Sequence, residues 1–196
     1  MKLAQSETYL NLAKAFAGEC QARVRYEFIE YGARNEGQNQ IAYIIDKIVY
    51  NEFNHARMFY TKIQDASNEN INNIEICGGY PFREKWTLVD NLKFAALDEQ
   101  GETILYPKFS KVAREEGFPD IAELFANIAK IEEKHKKVFT ELYEGLKNGT
   151  LYSKEKDILW KCTGCGYTEK GKKAPNVCPV CQAKQGVFAL HLKTEL

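Results

Sequence analysis

Glu52 and His55 in NEFNHARMF, and Glu132 and His135 in IEEKH, repeat one spacing: a carboxylate followed three positions later by an imidazole. On a helix, that spacing puts both side chains on one face. Both pairs interrupt stripes that are otherwise apolar. The stripes run Ile41, Ile45, Ile48, Glu52, His55, Phe59 and Ile121, Phe125, Ile128, Glu132, His135, Phe139, Leu142. Two further stripes carry the same kind of intrusion, Glu19 between Ala15 and Ala22, and Glu99 with Glu102 between Ala95 and Tyr106. Steps of alternating threes and fours keep one helix face toward a bundle core. All seven polar residues on these faces are therefore Glu or His.

The elements that must position them are legible. Helical apolar periods cover about 6–34, 38–67, 87–116 and 119–147, with Gly37 closing the first, Gly117 and Pro119 separating the last two, and Thr87 with Asp90 resembling an N-cap box. Short turns join helices one to two and three to four, while residues 68–86, with Gly78, Gly79 and Pro81, make one long crossover. That connectivity, in a mainly α chain, belongs to ferritin-like four-helix bundles. Measured from the turn of its hairpin, each of the seven side chains lies about 15–18 residues along, within roughly one helical turn of a common level at about 1.5 Å per residue. Five carboxylates in an apolar core cost several kcal/mol each unless compensated. Two divalent ions offset most of that charge. A Glu from each of two helices (Glu19, Glu99) plus Glu-x-x-His from each of the others is the ligand pattern of di-iron carboxylate bundles. The competing reading is inward salt bridges or a mistaken helical phase; a common level for all seven disfavours it.

Residues 1–150 are thus expected to form the bundle, and 151–196 a second, small domain organised by cysteines. Cys162-x-x-Cys165 and Cys178-x-x-Cys181 are separated by twelve residues, with Gly166 and Pro179 suited to tight thiolate-bearing turns. The spacing predicts a tetrahedral four-cysteine site for zinc or iron, and a structural zinc ribbon is the alternative to a redox role. Lys and Arg total 27, as do Asp and Glu, with no long run of one sign, so neither nucleic acid nor an anionic membrane is an expected partner. The N-terminus lacks the apolar stretch of a signal peptide and no segment is apolar enough to span a membrane, so a cytoplasmic location is expected. Cys20 reads as a buried free thiol in preference to a redox group, His191 as a surface or packing residue, Lys172 and Lys173 as a solvated loop, and Tyr106 most simply as core, with a place behind the metal ligands as the alternative; Cys77 falls in the crossover.

Nearly end to end, the chain resembles rubrerythrins, on AFAGECQARVRYEF, NEFNHA, NLKFAALDEQGE, YPKFSKVAREEG, IEEKH and WKCTGCGY…APNVCPVC. The resemblance implies a non-haem peroxidase reducing hydrogen peroxide to water, with two Fe ions in a carboxylate-bridged centre and one Fe in the four-cysteine tail, where Zn can substitute. It implies Glu52 and Glu132 as bridges, Glu99 and His135 as terminal ligands of one iron and Glu19 of the other. That second iron would alternate between His55 and Glu102 with oxidation state, and Tyr26 would hydrogen-bond a ligand carboxylate. It also implies an external electron donor such as a rubredoxin or an NAD(P)H-dependent reductase, and a head-to-tail homodimer. A ferroxidase or iron-binding bundle and a structural zinc protein are the alternatives. One departure stands out: between Glu102 and Tyr106-Pro107 the chain is one residue shorter than the family pattern. The unbroken stripe predicts a regular helix where relatives carry a bulge; a register shift would instead let Asp98 displace a ligand and would put the Glu102 role in doubt. Pro107 predicts a local kink.

Overall fold

The computed structural model describes residues 2–71, 73–83, 85 and 87–196. Four helices fill the first three quarters: α1 (Glu7–Asn35), α2 (Asn39–Gln64), α3 (Leu88–Glu115) and α4 (Pro119–Lys147). Helix α2 stops three residues short of expectation, because Ser67 Oγ accepts the Glu69 N–H and turns the chain out of the helix. The two hairpin turns are built alike. Gly37 (φ 74°) and Gly117 (φ 87°) take the left-handed conformation that closes a helix. In each, the next residue bonds back to the helix, Gln38 N–H to Ala33 C=O and Phe118 N–H to Ala113 C=O, both at 2.8 Å.

Thr87 does occupy the N-cap position of α3, but its hydroxyl donates to Asp90 Oδ2 (2.7 Å) and caps no backbone N–H. Helix α3 runs unbroken through Pro107, so the expected kink is not accompanied by any interruption. The proline is exposed, and the Thr103 hydroxyl donates to Gln100 C=O on the turn before it. The crossover between α2 and α3, of which residues 72, 84 and 86 fall outside the described set, has no helix or strand among its described residues; Ile71, Ile74 and Ile76 pack against the bundle core, and the Tyr80 hydroxyl donates to Lys14 C=O (3.4 Å).

After α4 the chain forms an antiparallel hairpin, β1 (Ser153–Lys161) with β2 (Thr168–Lys173), in the register Leu159 to Lys170 and Trp160 to Glu169. Lys172 and Lys173 therefore lie in a strand, not a loop, though they are exposed as expected. Trp160 is fully buried, donates from Nε1 to Gly171 C=O (3.0 Å) and packs edge-on against His191. The tail is not a free appendage. Its core residues Trp160, Cys162, Cys178 and Phe188 merge into one apolar cluster with Ile41, Ile45 and Leu142 of the bundle. Tyr152 donates to Gln38 (2.9 Å), Gln40 to Thr163 (2.7 Å), and Glu141 accepts the Lys193 N–H (2.8 Å).

Contact is closest at Gly186, where a β-carbon would lie 1.9 Å from the Gly37 carbonyl oxygen. Gly186→Ala is expected to force the tail off the α1–α2 turn, lowering stability by more than about 2 kcal/mol, read as a shifted denaturation midpoint and new protease sensitivity after Leu151. At the opposite end, Glu116 accepts the Glu7 and Thr8 N–H groups (2.9 and 2.8 Å) and the Thr8 hydroxyl, closing the N-terminus of α1. Burial alone would raise its pKa, but these donors outweigh it and hold the carboxylate below its ordinary range. Its contribution is therefore present above the unfolded-state pKa and lost as pH falls through the folded value. Glu116→Ala should cost about 1 kcal/mol near neutral pH, with the gap from the parent protein closing in acid; urea titrations at a series of pH values measure it.

Candidate metal centres

The bundle brings the predicted side chains together at mid-height. Glu19, Glu52, Glu99 and Glu132 are fully buried, and His55 and His135 nearly so. His55 Nδ1 lies 2.9 Å from Glu132, 3.1 Å from Glu52 and 3.8 Å from Glu19. His135 Nδ1 lies 2.7 Å from Glu132, 2.9 Å from Glu52 and 3.9 Å from Glu99. Two four-group sets result, Glu19–Glu52–His55–Glu132 and Glu52–Glu99–Glu132–His135, each offering ligand atoms within 4.8 Å of one another. Both sets contain Glu52 and Glu132. Such sharing is the geometry of two cations bridged by two carboxylates.

The donor atoms are left waiting for those cations. Glu19 Oε2, Glu52 Oε1, both oxygens of Glu99 and of Glu132, and His135 Nδ1 are buried without a hydrogen bond, a cost of several kcal/mol per charged group that a protein interior does not sustain uncompensated. Burial, then the neighbouring carboxylates, pushes Glu99 well above the normal Glu pKa, and burial raises Glu19 against the opposing pull of His55. Burial would also raise Glu52, but the two histidines win and hold it low. Against burial, the carboxylates drive both imidazoles upward. Metal entering the cluster competes with protons for these same atoms.

Around this centre the two hairpins mirror each other. Tyr106, seven residues after Glu99, donates to Glu19 Oε1 on α1 at 2.5 Å; Tyr26, seven residues after Glu19, faces Glu99 on α3, and burial followed by the Glu99 charge raises its phenol. Tyr26 thus stands against a cluster carboxylate, but neither Glu99 oxygen accepts in hydrogen-bond geometry. Tyr106 is core, as expected, yet it is also a partner of the site. Its sevenfold offset from Glu99, matching that of Tyr26 from Glu19, was the available signal. Asn51, whose Oδ1 is 3.3 Å from His135 Nε2, is the other partner that the helical stripes do not reveal; a single Asn beside Glu52 gives no sign that it turns inward.

Glu102 stands apart. It is in neither ligand set and is half-buried, with burial and then the Glu19 charge raising its pKa. No register shift brings Asp98 into the cluster. Glu99 points into the cluster, whereas Asp98 turns away to ion pairs with Arg25 (3.5 Å) and Arg83. Cys20 is half-buried, less enclosed than expected, and Cys77 is exposed.

In the tail, Cys162 and Cys165 sit on one knuckle and Cys178 and Cys181 on another, with matching bonds Gly166 N–H to Cys162 C=O (2.9 Å) and Gln182 N–H to Cys178 C=O (3.0 Å). Sγ separations of 3.7 Å (Cys162–Cys181) and 3.6 Å (Cys165–Cys178) match the edge of a tetrahedron with metal–sulfur bonds of about 2.3 Å, which is about 3.8 Å. Desolvation would raise the Cys178 thiol, but the Cys181 and Val180 N–H groups bring it down to about 7. Cys162 and Cys178 are buried, Cys165 and Cys181 exposed.

A dicarboxylate-bridged dinuclear site in a ferritin-like bundle, followed by a pair of cysteine knuckles, defines a di-iron bundle protein with a rubredoxin-like domain. The chain matches the Rubrerythrin family over residues 11–143 and the "Rubrerythrin, rubredoxin-like domain" over residues 160–189. It is 40% identical to a rubrerythrin of Clostridium perfringens over 96% of both chains, and 37% identical to one of Porphyromonas gingivalis over 93% of this chain and 89% of that one. It belongs to the rubrerythrin family. The fold also superposes on partially reduced nigerythrin (TM-score 0.62, 24% identity, 97% and 94% of the two chains) and on a mycobacterial bacterioferritin (TM-score 0.63, 19% identity, 73% and 87%). The buried cluster is the family's di-iron site, and the cysteine cluster its rubredoxin-like iron site.

Tyr106→Phe is expected to leave the helices intact while weakening metal retention in the Glu19 set by about 10–100-fold, the usual effect of losing a hydrogen bond to a ligand. Titration against a competing chelator, with circular dichroism as the control for folding, measures it.

Proposed function

We propose that the protein is a peroxidase that reduces hydrogen peroxide to water, drawing electrons one at a time through the four-cysteine site. The observation that carries this reading is the sharing of Glu52 and Glu132 between two ligand sets at one buried point. Two ferrous ions held there supply two electrons to one O–O bond together. On this reading Glu52 and Glu132 would be shared by the two metal positions, with Glu99 and His135 holding one and Glu19 and His55 the other. Glu102, just outside the sets and acted on most by Glu19 among the charges, would be available as an alternative carboxylate to His55 for a metal held in the Glu19 set. Tyr106 holds Glu19 by a hydrogen bond, and Tyr26 stands against Glu99 from the opposite hairpin. His135 is steadied by Asn51, whereas His55 has no such partner outside the cluster among the described residues.

Electron supply favours a second copy. The tail packs on the α1–α2 turn, about 17 residues from Glu19, or roughly 25 Å at 1.5 Å per residue, a long way for electron transfer. Its exposed sulfurs, Cys165 and Cys181, can face another molecule. A head-to-tail homodimer sets one protomer's tail beside its partner's di-iron centre, with a rubredoxin or an NAD(P)H-dependent reductase as the external donor. No helix among the described residues is long and apolar enough to cross a membrane, in keeping with a cytoplasmic setting.

Stopped-flow mixing of the anaerobically reduced, full-length protein tests the reading. Hydrogen peroxide should oxidise the di-iron centre at least about 100-fold faster than oxygen does, a barrier difference of ~2.7 kcal/mol. Cys165→Ser should keep that single oxidation but lose sustained turnover. Comparable rates with both oxidants, or zinc in both sites with no thiolate-to-iron absorption bands, would overturn it.

A further inference from the structure

Beside the di-iron centre, between the crossover and helices α1 and α3, lies a cavity of about 620 Å³. Glu102 and Tyr106 form its inner wall, and Tyr106 is bonded directly to Glu19 of the cluster. The cavity therefore borders the cluster through these two side chains. Its volume is far more than peroxide needs. At about 30 Å³ per water in the liquid, it corresponds to ~20 waters, whereas hydrogen peroxide is little larger than one, and it falls within the roughly 300–1,000 Å³ of pockets that hold organic ligands.

The lining specifies what kind of molecule would fill it. Leu97, Ile104 and Leu105 contribute apolar side chains that are 44%, 54% and 41% exposed, and Tyr80 and Pro81 of the crossover contribute to the lining as well. Gly101, one residue before Glu102, has nothing within 4 Å of where a β-carbon would stand, so the helix leaves open space beside the inner wall. Lys14 of α1 and Lys108 of α3 also line it, and Arg25 and Arg83, lining it too, share Asp98. Four cationic side chains against two carboxylates, around an apolar trough, fit an amphipathic ligand with an anionic head.

We propose that this cavity binds organic hydroperoxides bearing a carboxylate, with the apolar chain along Leu97, Ile104 and Leu105, the carboxylate at Lys14 and Lys108, and the –OOH group directed past Glu102 toward the di-iron centre. The inference rests on the peroxidase reading and extends its substrate class. The reaction is ROOH plus two electrons and two protons giving ROH and water. The O–O bond breaks, both its oxygens are reduced, the electrons are the pair the peroxidase reading assigns to the ferrous centre, and the protons come from solvent entering through the same cavity.

Two measurements on the full-length, iron-loaded protein test it. Hydroxylinoleic acid, the alcohol product of a fatty-acid hydroperoxide, should bind the oxidised protein in calorimetric titration, and Lys14→Glu combined with Lys108→Glu should weaken that binding at least about tenfold. In stopped flow, linoleic acid hydroperoxide should oxidise the reduced protein faster than neutral tert-butyl hydroperoxide does. Gly101→Leu, which fills the open space, should lower the ratio of the linoleic acid hydroperoxide rate to the hydrogen peroxide rate at least about tenfold. Absence of hydroxylinoleic acid binding, binding indifferent to the charge reversals, or a preference for the neutral hydroperoxide overturns the proposal. If hydrogen peroxide still oxidises the centre in that case, the substrate class alone has failed; if neither class of peroxide does, the peroxidase reading fails with it.

Discussion

Four carboxylates and two imidazoles in a space closed to water are the constraint to which the rest of this protein answers. Hydrophobic burial cannot accommodate such a group, since each unpaired charge costs several kcal/mol against a total folding stability of about 5–15 kcal/mol. Cations are therefore part of the fold, and the residues around them manage the charge the cations leave over. Tyr106 donates to Glu19, Tyr26 stands against Glu99, and Asn51 engages the outer nitrogen of His135. Even Asp98, the acidic neighbour of a cluster carboxylate, is turned outward and held by Arg25 and Arg83, which keeps a further negative charge from entering the centre.

Long helices are the means of meeting that constraint. Each runs on for several turns to either side of its polar residue, so apolar contacts above and below hold it rigid where the carboxylates repel. Two apolar clusters do this, one around Ile41, Ile45, Leu92 and Phe139, the other around Phe59, Phe109, Ile121 and Phe125. The first continues without a break into the tail through Trp160 and Phe188. Gly186 fits so closely against Gly37 that the four-cysteine domain is fixed to the end of the bundle and not tethered loosely to it.

How much of this was readable in the residues follows from how local each signal is. The stripes containing Glu19, Glu52, His55, Glu99, Glu132 and His135 depend on helix period alone, and period survives any change of packing detail; the structure brings all six together. The spacing of the four tail cysteines is equally local. Tail packing against the α1–α2 turn was not readable, because Gly186 looks like any other glycine until the surface it meets is known. The strand carrying Lys172 and Lys173 was missed because TEKGKK has no alternation, its two faces both being wet. Thr87 and Asp90 have the capping residues in sequence, but the side chains satisfy each other in place of the backbone. Pro107 carries a preference of its own, and what the structure shows there is a helix that continues through an exposed position without interruption.

The near-repeat of the two hairpins also shows where the site departs from symmetry. Residues at matching offsets correspond: Glu19 with Glu99, Glu52 with Glu132, His55 with His135, Tyr26 with Tyr106. Two correspondences fail. Three residues after Glu99 stands Glu102, whereas three after Glu19 stands buried Ala22, and the residue before Glu52 is Asn51, whereas before Glu132 it is Ile131. Both differences act in one direction. Asn51 steadies His135, while Glu102 lies nearest in charge to Glu19 on the His55 side. The cavity opens on that same side, where Glu102 and Tyr106 meet the crossover. A single crossover can cover only one flank of a two-hairpin bundle, so the asymmetry of the connection becomes an asymmetry of the two metal positions: one braced by Asn51, the other facing a spare carboxylate and open space.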